Sequence, residues 1–238
     1  MHEYVSKALS KSHHVPAKRT QHAPHPWNAP VYCQKIQYAT HSLSSPLNKK
    51  GNQRVQVIAS TFLYYSYAVD PTIIASLNEV SRKQSSPITL TESACNQLLD
   101  YLHSYPYAVL RYYASDMILS LVPNAAYLVL PNAHVHCATL DTLSNKPTSL
   151  PLKPAPNGPF HVTVKTIKGV PASASKAETG GIFLGAQESC PILTTLLELG
   201  HPQPSTSTPL ETDNSTATDI LTAQVRMKRY KAFDMQYY

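Results

Sequence analysis

The apolar residues between positions 54 and 104 recur at the three- to four-residue interval of amphipathic helices. This spacing predicts three helices, over residues 54–69, 72–80 and 91–104. Pro71 interrupts the pattern after the first helix, and Thr91 is expected to cap the third helix ahead of Glu92. The residues expected to point inward from the second and third helices are Ile73, Ile74, Leu77, Leu98, Leu99 and Leu102.

Beyond residue 105 the pattern changes to short strand-like segments separated by loops and by one long helical stretch. It predicts strands at 117–122, 160–170 and 210–212, and helices at 177–199 and 215–225. Pro191 is expected to break or kink the long helix, and Gly200 is expected to end it. Residues 140–159 and 202–209, rich in Pro and small polar residues, are predicted to be a loop and a linker. This order of elements predicts an α/β fold.

The first fifty residues are predicted to be loop beyond a short opening turn, because Pro16, Pro24, Pro26 and Pro30 recur there among polar residues. Residues 1–60 carry eight basic side chains and one acidic one, whereas the remaining 178 residues carry twelve basic and thirteen acidic side chains. A basic arm beside a nearly neutral body favours a polyanion such as nucleic acid as the partner. Deleting residues 1–54 is then expected to abolish most of that binding. A solvated tail without a partner explains the composition equally well.

Composition and cysteine usage narrow the class of protein. An apolar fraction of 42% is enough to form a core, whereas the charged fraction of 14% is low for a soluble enzyme. The four cysteines are far apart and form no Cys-x-x-Cys pair, which argues against a zinc site and a disulfide framework. No apolar run reaches membrane-spanning length, and the N-terminus lacks the apolar core of a signal peptide. We therefore expect an intracellular protein, cytoplasmic or nuclear, that is not secreted and has no membrane partner.

Three carboxylates lie at predicted boundaries between elements: Glu178 at a helix start, Asp213 at a strand end and Asp234 near the C-terminus. Carboxylates that converge without basic partners repel one another, so they require a cation between them, and hard oxygen ligands suit Mg²⁺ or Mn²⁺. Two such ions about 4 Å apart would hold the attacking and leaving oxygens of a phosphodiester. Taken singly, each acid also has a structural explanation, since Glu is favoured in the first turn of a helix and Asp-Asn-Ser is a good N-cap sequence.

These acids belong to three short motifs: Ala177-Glu178, Thr212-Asp213-Asn214, and the basic stretch Arg229-Tyr230-Lys231-Ala232-Phe233-Asp234. The motifs resemble three stretches in the ribonuclease H part of copia-type retrotransposon Pol polyproteins. Those stretches are an Ala-Glu pair that opens the first helix, a Thr/Cys-Asp-Asn stretch after a strand, and a Lys-His-Ile-Asp motif. Upstream, residues 61–70 resemble the connection helix between reverse transcriptase and ribonuclease H, and residues 21–27 resemble the loop before it. The resemblance covers nearly the whole chain.

The resemblance implies a ribonuclease-H-like mixed sheet flanked by helices over residues 109–238. A helical connection region over 54–108 and the basic, Pro-rich arm over 1–53 would precede it. It also implies that Glu178, Asp213 and Asp234 are catalytic metal ligands for Mg²⁺ or Mn²⁺, that an RNA/DNA hybrid or another nucleic acid is the partner, and that no small-molecule cofactor is needed. The basic residues expected to contact nucleic acid are Lys18, Arg19, Lys49, Lys50, Arg229 and Lys231.

The chain departs from this family at its first catalytic position. The family carries Asp there, in a motif like His-Ser-Asp-Ala-Ser-Tyr, whereas the matching stretch 122–127 has Asn124. The histidine of the last motif is replaced by Ala232, no Asp-Asp pair of a polymerase site occurs, and the fragment is expected to be truncated at both ends. We therefore expect Asn124 and the three acids to converge in space as a degenerate site with weak or absent catalysis.

Two other functions fit the same sequence. The first is a non-catalytic nucleic-acid-binding or scaffolding module that uses the basic arm. The second is the product of a pseudogene, with no function. Nothing in the amino-acid sequence distinguishes these two from each other.

The remaining polar and aromatic clusters are expected to be structural. His134 and His136 would share a strand face, as metal ligands do, but no third ligand is near in sequence. The histidines of the arm also lack Cys or acidic residues at ligand spacing; they are His13, His14, His22 and His25. Paired tyrosines are expected to lie in the core, although tyrosine rings also stack on bases. They are Tyr64, Tyr65, Tyr112 and Tyr113.

Overall fold

A computed structural model describes residues 3–26, 44–146, 157–171, 173–205 and 208–222. These residues fall into two compact units, one holding the described residues up to Leu110 and the other those from Arg111 onward. No helix among the described residues is both long enough and apolar enough to cross a membrane.

The first unit is helical. Its helices are α1 (Tyr4–Lys11), α2 (Lys49–Ala68), α3 (Ile74–Arg82) and α4 (Thr89–Ser104), with a short 3₁₀ turn at Pro71–Ile73. The three helices predicted from apolar spacing are confirmed, and the six residues expected to point inward are all buried. Helix α2 begins earlier than predicted because the Asn48 side chain accepts a hydrogen bond from the Gly51 N–H at 2.9 Å.

Two details of the predicted first unit are wrong. Thr91 is not the N-cap of α4: Ile88 is the N-cap residue, and the Thr91 hydroxyl accepts a hydrogen bond from the Ile88 N–H at 3.3 Å. The opening turn is the eight-residue helix α1, whose buried residues are Val5, Ala8 and Leu9. The prediction gave too much weight to prolines, which all come after Lys11, and overlooked this short apolar stripe.

Helix α1 belongs to the core of the first unit. Its buried residues share one apolar cluster with Phe62 of α2 and Leu98 of α4. The Tyr4 ring stacks on Tyr65 with ring centroids 5.4 Å apart, and the Tyr4 hydroxyl donates a hydrogen bond to the Thr61 carbonyl at 2.6 Å. The basic arm therefore begins with a packed helix and not with a solvated tail.

The second unit is an α/β structure with a three-stranded antiparallel sheet. Its strands, in spatial order, are β1 (Ile118–Ala126), β2 (Val135–Ser144) and β3 (Pro159–Ile167). The helices are α5 (Ala174–Glu198) and α6 (Ser215–Leu221). Helix α5 lies on one face of the sheet, with Leu196 against Leu119 and Leu121 near one end and Ala177 against Val135 near the other.

Strand β2 was not predicted, and it extends into the segment that was expected to be loop. Every second residue of β2 points inward, as in any strand, but two of these inward residues are polar, Thr139 and Asp141. The apolar alternation that identifies a strand is therefore interrupted. Strand β1 also runs beyond its predicted end, through Pro123 to Ala126.

Helix α5 continues through Pro191, so the predicted break does not occur there. Proline removes the hydrogen bond to the carbonyl four residues earlier, on Gln187. Both residues are exposed, so water can satisfy that carbonyl. Gly200, at a φ of 85°, ends the helix region as predicted.

Candidate functional site

The start of α5 places Glu178 next to the end of β1. The Ser173 side chain caps the helix by accepting a hydrogen bond from the Lys176 N–H at 3.3 Å, so Glu178 falls early in α5. Glu178 is 7% exposed, and one of its carboxylate oxygens, Oε2, is buried without a hydrogen-bond partner. The backbone amide of Ala125 partly stabilises the charged form of this carboxylate.

Asp213 reaches the same strand end from a segment that runs parallel to β1. Leu210 forms a bridge with Leu121, in which the Leu121 N–H donates to the Pro209 carbonyl at 3.0 Å and the Glu211 N–H donates to the Leu121 carbonyl at 2.9 Å. Asp213 lies three residues after Leu210, just as Asn124 lies three residues after Leu121. The described pairing between the two segments is limited to this bridge, and beyond it the charge of Asp213 acts on Glu178.

Burial and Asp213 both raise the pKa of Glu178, burial being the larger cause, while the Ala125 backbone amide lowers it. Among the described residues, no basic side chain compensates the charge of Glu178. The negative charge of Asp213 makes ionisation of Glu178 less favourable, and a cation between the two carboxylates would offset that repulsion.

Strand alternation turns the Asn124 side chain away from α5. Ala125 and its cross-strand partner Cys137 face the helix, since a Cβ added to Gly181 would lie 3.4 Å from the Cβ of each. Asn124 is therefore on the opposite face, where it is exposed. Glu178 and Asn124 therefore lie on opposite faces at the end of β1, so the structure does not bring these two residues of the predicted site together. Asp213 is near enough to Glu178 for its charge to raise the pKa of that carboxyl.

The structure describes only part of the predicted site. Asp234, Arg229 and Lys231 lie outside the described residues. The other four predicted nucleic-acid contacts, Lys18, Arg19, Lys49 and Lys50, are exposed in the first unit.

The donor set of the described site suits a single ion. No group of three or more His, Cys, Asp or Glu side chains within the described residues is arranged to hold a metal ion. Glu178 and Asp213 supply two acidic donors, whereas the Asn124 side chain, on the opposite face of β1, is not placed to share an ion with Glu178. The unpartnered oxygen of Glu178 and its uncompensated charge fit one hard divalent cation such as Mg²⁺ or Mn²⁺. Two closely spaced ions need more negative charge than these three residues provide.

Two of the histidines set aside in the sequence make hydrogen-bond contacts within the first unit. His14 Nε2 lies 2.8 Å from a carboxylate oxygen of Asp100 on α4, and His22 Nδ1 lies 2.5 Å from the Tyr105 hydroxyl. The expectation that His134 and His136 share a strand face is wrong, because His134 precedes the first residue of β2.

The paired tyrosines are mostly not core residues. Tyr65 is 1% exposed, as predicted, but Tyr64, Tyr112 and Tyr113 are 57% to 65% exposed. Neighbouring positions on a helix point about 100° apart, so Tyr64 and Tyr65 cannot both face the core.

A buried carboxylate that sequence reasoning missed lies elsewhere in the second unit. Asp141 on β2 is 1% exposed and lies 2.7 Å from His161 Nδ1 of β3. It also accepts a hydrogen bond from the Ser189 hydroxyl of α5 at 3.1 Å. These contacts connect β2 with β3 and α5. An inward-facing acid in an alternating strand is the signal that identifies it, and that signal was lost when β2 was not predicted.

Comparison with protein-family models, with curated proteins and with solved structures finds no significant match to this chain. Any assignment of function therefore rests on the geometry of the site. It consists of a buried, partly unpaired glutamate and an exposed aspartate at one end of β1, in an α/β unit.

We expect Glu178→Gln to raise the free energy of unfolding of the second unit by about 1 kcal/mol at neutral pH, because it removes a buried, incompletely paired carboxylate. The pKa of Glu178 is higher in the folded state than its unfolded value of about 4.3. The stability associated with the protonated carboxyl is therefore fully present below that unfolded value, and it is lost as the pH rises through the folded-state pKa. The advantage of the variant should therefore shrink as pH falls toward about 4. Urea denaturation at several pH values measures it.

Glu188→Gln is the matched control on the same helix. A hydrogen bond from Lys165 lowers the pKa of Glu188, so this substitution should not raise stability at neutral pH. A stability gain for Glu178→Gln that stays constant from acidic to neutral pH would contradict the assignment of the effect to ionisation.

Proposed function

We propose that the second unit is a ribonuclease-H-like domain with a degenerate metal site, derived from a copia-type retrotransposon Pol polyprotein. The order of elements supports this proposal: three antiparallel strands, a long helix, a segment that bridges in parallel to β1, and a further helix. The isolated parallel bridge on the other side of β1 from β2 supports a mixed sheet of the kind that the resemblance implies.

The observation that carries the proposal is the meeting of Glu178 and Asp213 beside the end of β1. These residues are 35 positions apart, and they belong to two of the three motifs that resemble the family. A pair of acids, one of them buried without full compensation, is unfavourable for folding alone. Such an arrangement is typical of sites that hold a cation.

The residues of the site suggest binding with little catalysis. When bound, Mg²⁺ or Mn²⁺ would supply positive charge for a phosphodiester oxygen. Glu178 and Asp213 would hold the ion, and the neutral Asn124 stands at the position where the family carries its first catalytic Asp. Because Asn124 carries no charge, the repulsion between two close ions stays uncompensated, so an RNA/DNA hybrid would be bound and cleaved weakly or not at all.

The distribution of charge favours a second candidate function, a nucleic-acid-binding module without catalysis. The described residues of the first unit include nine basic and five acidic side chains, whereas those of the second unit include five basic and eight acidic ones. A polyanion would therefore be attracted to the first unit and repelled by the second.

Binding of Mn²⁺ tests the leading proposal directly. We expect the wild-type chain to bind Mn²⁺, and Glu178→Gln or Asp213→Asn to weaken that binding at least tenfold, the loss typical of a removed ligand or its support. The loss of the electron paramagnetic resonance signal of free Mn²⁺ measures the bound fraction. Glu188→Gln, which removes an acid from the same helix, is the control. Equal binding by all four proteins, or no binding by the wild type, would refute the metal site.

A further inference from the structure

An open groove of about 490 Å³ lies on the first unit beside α1 and α2. The side chains that give it chemical character are Tyr4, Lys7, Lys11, Thr61 and Tyr64. The groove belongs wholly to the first unit, and its properties are independent of the carboxylate site described above.

Two of the side chains that line the groove are aromatic, Tyr4 on α1 and Tyr64 on α2. The Tyr4 ring is fixed by a nearly parallel stack on Tyr65, with 3° between the ring planes, and by its hydroxyl bond to the Thr61 carbonyl. Tyr64 is 64% exposed, so most of its ring is open to solvent. A large exposed ring beside a rigid one provides a flat apolar surface for a planar partner.

Helix α1 also contributes two basic side chains to the groove. Lys7 and Lys11 are one helical turn apart on α1, about 6 Å along the helix axis, and both are exposed. Lys7 pairs with Glu3 at 3.2 Å, but both side chains are largely exposed, and such surface pairs are weak enough to exchange for a stronger anion. The net positive charge of the described first unit adds to the attraction for a polyanion.

We propose that this groove binds single-stranded nucleic acid, with Lys7 and Lys11 against neighbouring phosphates and Tyr64 stacked on a base. Single strands expose base faces, whereas a duplex keeps its bases stacked on one another and offers no face to Tyr64. Because every base has a π-face, the binding is independent of sequence. An acidic protein would pair with the two lysines but would leave the rings of Tyr4 and Tyr64 without a partner.

Fluorescence anisotropy of the full chain with a labelled oligothymidylate of roughly ten nucleotides tests the proposal, within the site sizes of single-strand-binding proteins. Tyr64→Ala should weaken binding about tenfold without changing its salt dependence, and Tyr64→Phe should bind like the wild type. Neutralising both lysines, as Lys7→Gln with Lys11→Gln, should reduce the slope of log affinity against log salt by about 1.4, since each phosphate contact on a single strand contributes about 0.7.

Two substitutions outside the groove serve as controls. Tyr67→Ala removes another exposed tyrosine from α2, and Arg82→Gln removes an exposed charge from α3. Each should change the affinity by less than about twofold, a small effect next to the tenfold loss of a stacked base. Circular dichroism checks that every variant is folded.

The outcomes that would overturn the proposal are distinct. Binding of duplex DNA or of polyglutamate as tightly as oligothymidylate would show that the groove does not select unstacked bases. An equal loss of affinity for Arg82→Gln and for the double lysine variant would show that overall charge alone is responsible for the binding. Glu178→Gln should leave oligothymidylate binding unchanged, so failure of the carboxylate site and failure of the groove are separable.

Discussion

Replacing Asn124 with Asp is expected to raise the affinity of the second unit for Mn²⁺ at least tenfold and to increase Mg²⁺-dependent cleavage of a labelled RNA/DNA hybrid. The substitution adds one negative charge at the end of β1, at the position where the resemblance expects a carboxylate. Two unit charges 4 Å apart interact by about 4 kcal/mol at an effective dielectric constant of 20, and a tenfold gain needs only about 1.4 kcal/mol. The change in volume is almost zero, and the exposed position of Asn124 means that core packing is not disturbed.

The same charge should have the opposite effect when no divalent ion is present. Three carboxylates near one strand end repel one another, so the variant is expected to be less stable than the wild type in the presence of a chelator. Added Mn²⁺ should reverse this loss, because an ion that binds only the folded state stabilises it. The reversal distinguishes a restored ion site from a general change in surface charge.

Asn145→Asp is the matched control for this substitution. Asn145 is exposed just after β2, and β2 is antiparallel to β1, so it lies at the opposite end of the sheet from Asn124. Its side-chain oxygen accepts a hydrogen bond from the Asp116 N–H at 3.2 Å, which a carboxylate can also accept. A similar gain in Mn²⁺ affinity for both variants would contradict the site.

A folded Asn124→Asp variant that binds Mn²⁺ and the hybrid but cleaves no better would place the remaining defect elsewhere, with Ala232 the first position to test. A wild type that already cleaves well would refute the degenerate site.

The fold was predictable from sequence where the apolar pattern is local. In α3 and α4 six of the nine buried residues are Ile, Leu or Val, so the helical period is visible without knowledge of any partner. In β2 the inward Asp141 looks like a surface residue, because the groups that make its burial acceptable, His161 and Ser189, are 20 and 48 positions away. Long-range partners of this kind leave no signal in a local window.

From the sequence, the identities of the candidate site residues could be predicted, but their burial and arrangement could not. Glu178 at the start of a helix has a local explanation, and its burial depends on Ala125 and β1, which lie far away in sequence. The resemblance to a known family is what selected Glu178 and Asp213 among the fourteen acidic residues of the chain. The groove on the first unit had no such signal, since Tyr64 differs from the buried Tyr65 only in the direction that α2 gives it.

Deleting residues 1–12 is expected to unfold the first unit, and not merely to remove positive charge. The deletion takes away Val5 and Leu9, each of which stabilises the fold by about 1.5–3 kcal/mol when fully buried, together with the stack of Tyr4 on Tyr65. That loss is comparable to the total stability of a small domain, about 5–15 kcal/mol. Loss of nucleic-acid binding after removal of residues 1–54 would therefore not identify the arm as the binding element, because the same deletion destroys the core to which α1 belongs.

Point substitutions on the two faces of α1 separate charge from packing. Leu9→Ala is expected to lower the free energy of unfolding by about 2–5 kcal/mol, because Leu9 is buried in the cluster that contains Phe62. Lys11→Gln, two residues away on the exposed face, should change it by less than about 0.5 kcal/mol. Urea denaturation followed by circular dichroism at the helix band measures both values. If the chain lacking residues 1–12 kept the helical signal and the cooperative unfolding of the full chain, α1 would be an accessory helix, and deletion would again be a valid test of the arm.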